Sequence, residues 1–195
     1  GQRVGTEVLR HAAEYLTPVT LELGGKSPCV VDHTAKLDLA AKRIAFGKLL
    51  NCGQTCVAPD YFLVEGSIEA EFIEKLKTAL EQMVGKEPLK NKDYVHMVSM
   101  KHYDRVMGLI DREKVVYGGR GDPESLGIEP TILRNVTQED PVMQEEIFGP
   151  LLPILPVADV EEAMEIIKSR EKPLACYLFT EDRRVQDRFL RQVPF

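Results

Sequence analysis

Amphipathic segments and short apolar runs alternate along the chain. In the amphipathic segments apolar residues recur three or four positions apart, as at Tyr103, Val106 and Ile110. Helices are predicted in this way at 4–16, 38–50, 67–85, 99–110, 159–167 and 182–192. The apolar runs predict strands at 19–23, 29–31, 61–64, 114–117, 131–133, 152–157 and 174–179, with a loop at 120–130. This alternation predicts an α/β fold whose sheet is largely parallel and flanked by helices.

Polar residues at the predicted helix starts indicate N-terminal caps. Ser67 and Ser99 each precede an apolar helical pattern, and Gly85 follows the first of these helices. Asp159 is followed three residues later by Glu162, a spacing typical of a capping box. These signals predict where three of the helices begin.

The composition limits which kinds of protein, binding partner and cellular compartment are expected. Lys and Arg number 25 and Asp and Glu number 31, which gives a formal net charge of −6 and argues against nucleic acid or an anionic membrane surface as the main partner. A 44% hydrophobic share with 29% charged residues is typical of a folded globular protein. Four cysteines are too few for a disulfide framework and favour a reducing compartment. Without a charged-then-apolar leader or an apolar run of membrane-spanning length, we expect a cytoplasmic protein with no membrane span.

Residues 20–27 form the first segment with candidate chemistry. Glu22 lies between Leu21 and Leu23, near the carboxyl end of the predicted strand and just before two glycines. Ligands of open α/β sheets collect at such strand ends, and a carboxylate there can act as a general base. Position alone favours the alternative, a solvent-facing glutamate on an edge strand.

Residues 51–59 form the second segment, a short loop between a predicted helix and a predicted strand. The loop contains Cys52 and Cys56, and a thiolate presented on such a loop is a strong nucleophile. Spacing alone favours the alternative that either cysteine is a small buried apolar residue, which is the commonest role of a free cysteine. A metal site lacks a second Cys or His pair, and a redox pair lacks the C-x-x-C spacing, so no metal ligands are predicted.

Residues 144–150 form the third segment, which ends in a Gly-Pro turn before an apolar strand. Its glutamates can accept hydrogen bonds from ribose hydroxyls, and Phe148 can pack against a flat ring. The alternative is a solvated acidic turn with Phe148 in the core. The four histidines show no ligand or triad spacing, although a dyad of Cys56 with His102 stays open because distant residues can meet in the fold.

Together, the three segments resemble motifs of the aldehyde dehydrogenase superfamily. Residues 21–28 read LELGGKSP and match the general-base motif, and residues 53–56 read GQTC and match the nucleophile motif. Residues 145–150 read EEIFGP and match the ribose-contacting motif, in the family's order. The continuation CVAPDY at 56–61 resembles the class 3 branch, which handles fatty and aromatic aldehydes. The resemblance covers essentially the whole chain and implies a Rossmann-like catalytic domain.

The resemblance implies a residue-level mechanism with NAD or NADP as cofactor. Cys56 would attack the aldehyde carbonyl, and Glu22 would activate the water that hydrolyses the resulting thioester. Glu146 would bind the nicotinamide ribose and Phe148 would pack beside it. The backbone of Leu23 would contact the carboxamide, and the end of the pyrophosphate loop would correspond to Val4 and Gly5. The two competing hypotheses are a cofactor-independent cysteine hydrolase using Cys56 and His102, and a non-catalytic relative.

The resemblance also implies a domain division and a missing remainder. Residues 1–27 are similar to the C-terminal piece of the family's dinucleotide-binding domain, and residues 28–195 to most of its catalytic domain. We therefore expect a fragment that, taken alone, is inactive and binds NAD(P) poorly. The expected partner is a small aldehyde, and the intact protein is expected to form a homodimer or homotetramer.

Overall fold

Six helices and eight strands follow one another in a computed structural model, which describes residues 1–195. The helices are α1 (Gln2–Glu14), α2 (Leu37–Leu49), α3 (Glu69–Val84), α4 (Met100–Gly108), α5 (Val160–Lys168) and α6 (Arg183–Gln192). The strands are β1 (Pro28–Val31), β2 (Tyr61–Glu65), β3 (Val115–Tyr117), β4 (Gly121–Asp122), β5 (Gly127–Ile128), β6 (Thr131–Leu133), β7 (Leu151–Val157) and β8 (Tyr177–Phe179). Short 3-10 turns lie at Leu50–Gly53, Pro88–Lys90, Arg112–Lys114 and Pro141–Met143.

Six of the strands form one sheet in the order β3-β6-β7-β2-β1-β8. All neighbours in this sheet are parallel except the edge pair β3 and β6. The short strands β4 and β5 form a separate antiparallel pair. The predicted α/β fold with a largely parallel, helix-flanked sheet is therefore confirmed.

The adjacent interior strands β1 and β2 supply a large part of the core. Val30, Phe62 and Leu63 are completely buried, as expected of parallel strands that are covered on both faces. α2 connects these two strands and packs against α3, whose apolar stripe includes the buried residues Phe72 and Leu76. None of the six helices is both long and apolar enough to cross a lipid bilayer.

The predicted strand at 19–23 is wrong, because this segment pairs with no other strand of the chain. A strand exists only through hydrogen bonds to a neighbour, and the residues here are held instead by side chains. Leu21 and Leu23 pack against Gly5 of α1, where an added Cβ would lie 3.3 Å from Leu21 Cδ1. Glu22 points away from this contact and is exposed.

Apart from shifts of one or two residues at element ends, two further segments differ from the prediction. The loop predicted at 120–130 contains the hairpin of β4 and β5, whose two-residue strands are too short to show any apolar alternation. The strand predicted at 174–179 shortens to β8, since only its last three residues pair with β1.

The three predicted caps have different outcomes. Asp159 accepts a hydrogen bond from Glu162 N at 2.9 Å, so the predicted cap forms. Glu162 Oε2 accepts the amide of Ala158, one residue before the N-cap amide that a capping box uses. Ser99 stands at the N-cap of α4 but makes no side-chain bond. Ser67 is not a cap, because α3 starts two residues later at Glu69.

Candidate functional site

The three motif segments converge on one edge of the sheet. Residues 22–27 lead directly into β1, residues 51–60 into β2, and residues 144–150 into β7. These strands are parallel neighbours, so their amino ends lie at the same edge. Glu22 was predicted near the carboxyl end of its own strand, and it lies instead before the amino end of β1.

A buried ion pair joins the three segments. Lys26 Nζ donates to Asp60 Oδ1, to Val142 O at 2.9 Å and to Glu145 O at 2.8 Å. The other oxygen of Asp60 accepts the amide of Ile147 at 2.8 Å. Burial lowers the pKa of Lys26, and the adjacent carboxylate of Asp60 opposes that shift. Asp60 therefore links the end of the cysteine loop to both of the other segments.

The carboxylate of Glu146 lies over the glycine pair of the first segment. Its Oε1 accepts the amide of Gly25 at 3.1 Å. A Cβ at Gly24 would overlap this carboxylate, so only glycine allows so close an approach. Burial raises the pKa of Glu146, and the Gly25 N–H partly offsets the rise.

Arg105 of α4 fixes the backbone of the same segment from the other side. Its guanidinium donates to Ile147 O at 2.6 Å and to Glu146 O at 3.2 Å, and it forms an ion pair with Glu145 at 3.3 Å. The sequence analysis did not predict a role for Arg105. Its partners are mainly backbone carbonyls, which every residue type has, so no residue pattern indicates the contact. Arg105 therefore holds the main chain of Glu146 and Ile147.

A polar cleft of about 690 Å³ opens beside Glu146. It is lined by Leu23, Gly24, Gly25, Glu145, Glu146 and the segment 169–172, among others. The predicted cofactor contacts Leu23 and Glu146 are thus brought together, whereas Cys56 and Glu22 do not line this cleft. Phe148 is 37% exposed with φ +48°, so the alternative that places its side chain in the core is wrong.

The cysteine loop begins with three consecutive residues in the left-handed region. Asn51 and Cys52 have φ of 52° and 57°, and Gly53 has φ +72°. A Cβ at Gly53 would overlap Gly149 O of the third segment. Because non-glycine residues adopt this conformation only at a cost, the loop is held by its surroundings.

The two cysteines of this loop have opposite environments. Cys52 is completely buried with its Sγ 3.5 Å from Tyr94 Oη, and burial raises its pKa to about 11. Cys56 is exposed and, with Val57, occupies the centre of a turn closed by a bond from Ala58 N to Thr55 O at 3.0 Å. Cys52 therefore packs as a small apolar residue, while the Cys56 thiol faces solvent.

The other two cysteines lie within the sheet region. Burial raises the pKa of Cys29 well above its usual range and that of Cys176 to about 12. Cys56 is thus the single cysteine of the chain that is classed as exposed. No group of three or more His, Cys, Asp or Glu side chains is placed to hold a metal ion.

The remaining predicted site residues lie apart from the ion pair. Gly5 is buried inside α1 and its amide donates to Gly1 O at 3.1 Å, while Val4 is 66% exposed. Their predicted contact with pyrophosphate, like the predicted role of Glu22, stays a prediction. His102 lies half-buried on α4 and makes no hydrogen bond or ion pair with Cys56, so nothing here favours the dyad.

Lys48 is a buried cation that the sequence analysis did not identify. It lies at the end of α2, is 1% exposed, and donates to Pro59 O at 3.0 Å. Burial lowers its pKa to about 8, although the nearby carboxylate of Asp60 acts in the opposite direction. The sequence does not indicate that Lys48 is buried, because a lysine on an amphipathic helix is expected to face solvent.

We expect Lys48 to make stability rise with pH. Above pH 8 the folded protein loses this proton while the unfolded chain keeps it up to about pH 10.4, so the unfolded state binds more protons and folding gains. Between pH 8 and 10 the contribution is about 2 kcal/mol. Urea denaturation at several pH values compares the chain with Lys48→Met, in which the rise should shrink to the part contributed by other groups such as Lys26, whose pKa burial also lowers. An unchanged slope in the variant would contradict the assignment, and Lys86→Met, at an exposed position, is the control.

Known proteins match the chain over its whole length. The model of the aldehyde dehydrogenase family matches residues 1–195. The dimeric NADP-preferring aldehyde dehydrogenase of Canis lupus familiaris is 52% identical over 177 residues, which make up 91% of this chain and 39% of that protein. The 4,4'-diaponeurosporen-aldehyde dehydrogenase of Staphylococcus aureus is 45% identical over 100% of this chain and 43% of its own length. The chain spans about two fifths of the curated relatives it matches.

Solved structures show the same arrangement of elements. A Staphylococcus aureus AldH in its substrate-bound state superposes with a TM-score of 0.98 at 44% identity, over 100% of this chain and 43% of that one. An indole-3-acetaldehyde dehydrogenase in complex with NAD+ has a TM-score of 0.87 at 30% identity, over 98% of this chain and 41% of that one. With its three motifs at one edge of this sheet and a family model that matches from the first residue to the last, the chain belongs to the aldehyde dehydrogenase family.

Proposed function

We propose that the complete protein containing this chain oxidises aldehydes to carboxylic acids with NAD+ or NADP+. The observation that carries the proposal is the exposed thiol of Cys56, presented on a turn at the edge of the sheet where Glu146 also lies. An accessible thiol is what attack on a carbonyl carbon requires. The relatives support the choice of reaction and cofactor, since they include an NADP-preferring aldehyde dehydrogenase and one in complex with NAD+.

The residues around the polar cleft fit the ribose end of such a cofactor. Glu146 uses Oε1 for the Gly25 amide, and its Oε2 makes no hydrogen bond within the chain. That oxygen is available to accept a ribose hydroxyl. Phe148 does not line the cleft, but its exposed ring lies two residues further along the same segment and offers a flat apolar surface. When bound, NAD(P)+ supplies the acceptor for the hydrogen and two electrons that leave the aldehyde carbon.

The chemistry of the chain's own residues begins at Cys56. Its thiolate adds to the carbonyl carbon, the carbonyl electron pair moves to oxygen, and the amide of Cys56 stabilises that negative oxygen. Oxidation leaves an acyl group on the sulfur as a thioester. Glu22 then takes a proton from water, and the water oxygen adds to the acyl carbon. The carbon–sulfur bond breaks, which releases the carboxylic acid and restores the Cys56 thiolate. Transfer to coenzyme A would need no such carboxylate, so Glu22 favours hydrolysis.

The rest of the protein completes the site in this proposal. Residues 1–27 belong to the cofactor domain and 28–195 to the catalytic domain, so the 195-residue chain alone is expected to be inactive. Of the two expected assemblies a homodimer is preferred, because the NADP-preferring relative from Canis lupus familiaris is named as dimeric. A cytoplasmic location stays a prediction.

Replacing Glu22 by glutamine is expected to trap the acyl-enzyme. Acylation of Cys56 continues, but deacylation slows by about 100-fold or more because the water loses its general base. Intact mass spectrometry after mixing with aldehyde and NAD(P)+ should show the acyl adduct, and NAD(P)H should appear in a burst equal to the enzyme present. Glu14→Gln, at an exposed position in α1, is the control and should give neither effect. A Glu22→Gln variant that turns over steadily at the parent rate would exclude this role for the carboxylate.

A further inference from the structure

The turn that carries Cys56 has one hydrogen bond from outside its own loop. Within the loop, Ala58 N donates to Thr55 O and Thr55 Oγ1 lies 3.5 Å from Leu50 O. For residues 55–58, the single bond from another part of the chain is donated by Tyr177 Oη to Val57 O. The carbonyl that accepts it belongs to the residue directly after the nucleophile.

Tyr177 reaches this turn from the edge strand of the sheet. It is the first residue of β8, and its backbone lies opposite Cys29 of β1. The side chain also lines a cavity of about 300 Å³, so packing does not enclose it on every side. The bond from the Tyr177 hydroxyl to Val57 O therefore adds a directed polar contact to a ring that packing encloses only in part.

The hydroxyl is suited to act as a permanent donor. Burial raises the pKa of Tyr177, and the neighbouring thiols of Cys29, Cys176 and Cys56 add to the rise. The phenol therefore keeps its proton throughout the pH range in which a thiolate nucleophile works. A donor that keeps its proton holds the carbonyl of Val57 in one direction.

We propose that Tyr177 is a positioning residue for the nucleophile, fixing the Cys56 turn through the carbonyl of Val57. This inference rests on the proposed function only in its catalytic consequence, since the anchoring itself is a property of the loop. The contacts of the polar cleft lie on other segments, so Tyr177 acts on the chemical step and leaves cofactor binding unchanged.

Tyr177→Phe in the complete protein tests the proposal, because it removes the hydroxyl and keeps the ring. Hydrogen exchange of the amides of residues 55–58 should accelerate about 5-fold, the ratio expected for one lost hydrogen bond. The kcat for aldehyde oxidation should fall about 10-fold as the thiol loses its alignment. The KM for NAD(P)+ and the Kd for NAD(P)+ from calorimetry should stay within about two-fold of the parent values.

Two control variants separate anchoring from general loss of stability. Tyr117→Phe removes a phenol on β3 that makes no side-chain hydrogen bond, and it should change nothing. Glu69→Gln breaks an ion pair with Arg134 at the opposite edge of the sheet, and it should lower the melting temperature without affecting exchange at 55–58.

The outcomes distinguish the two proposals. Unchanged exchange at 55–58 in Tyr177→Phe overturns the anchoring, whatever the enzyme does. Faster exchange with an unchanged kcat overturns the catalytic consequence, and so does a fall in kcat accompanied by an equal rise in KM for NAD(P)+. If the parent protein oxidises no aldehyde but the exchange result holds, the proposed function fails and the anchoring stands.

Discussion

Cys56→Ala should lower the rate of aldehyde oxidation by the complete protein at least about 10⁴-fold, because it removes the nucleophile that forms the covalent intermediate in the proposed reaction. Cys56 is the exposed cysteine, whereas burial raises the pKa values of the other three thiols. NAD(P)H formation measured with a panel of aldehydes and both cofactors gives the rate. Selective alkylation of Cys56 at neutral pH, followed by mass spectrometry, reports the reactivity of the thiol independently.

Cys52→Ala is the matched control, since it removes a thiol four residues away on the same loop. Cys52 is completely buried beside Tyr94, so its loss creates a small cavity and is expected to lower stability by about 1 kcal/mol while activity persists. Full activity of Cys56→Ala, or loss of activity in Cys52→Ala with the fold intact, would contradict the assignment of the nucleophile.

The same measurements separate the competing hypotheses. A cofactor-independent hydrolase would cleave esters and lose that activity in His102→Ala. Ester cleavage alone decides nothing, because an activated thiol performs it in either case. A non-catalytic relative would show no selective alkylation of Cys56.

The periodic elements of this fold were predictable, and those that depend on a distant partner were not. The helices α2, α3 and α6 follow from apolar spacing within a few residues, which is local information. The strand predicted at 19–23 fails because strand formation needs a neighbour, and residue type does not say whether one is present. The hairpin of β4 and β5 was missed because two-residue strands show no pattern.

The site divides in the same way. Its three segments were identified from residue type, and their convergence follows once β1, β2 and β7 are known to be parallel neighbours. The residues that hold these segments were missed, because Lys48, Arg105 and Tyr177 bind backbone carbonyls. Every residue has a backbone carbonyl, so the sequence does not show which carbonyls accept these hydrogen bonds.

Asp60→Ala is expected to lower the free energy of unfolding by about 3–5 kcal/mol, since it removes the ion-pair partner of the largely buried Lys26 ammonium. The variant also leaves the amide of Ile147 without its acceptor. A loss of this size is a large fraction of the stability of a typical domain. Urea denaturation of the complete protein, followed by hydrogen exchange at residues 145–147, measures the global and the local effect.

The double variant Lys26→Met with Asp60→Leu distinguishes two causes of the lost stability: loss of the favourable ion-pair energy, and burial of an ammonium group that no longer has its partner. If the penalty arises from the unpaired ammonium, the double variant should recover most of the stability lost by Asp60→Ala.

The pH dependence of the stability loss gives a second criterion. Without Asp60 the pKa values of both Lys26 and Lys48 fall further below their unfolded values, so the defect of Asp60→Ala should be greatest near neutral pH and shrink as the pH rises and the buried amines lose their protons. A defect of equal size at pH 7 and pH 10, or a double variant as unstable as Asp60→Ala, would show that the charge of Lys26 is not the cause.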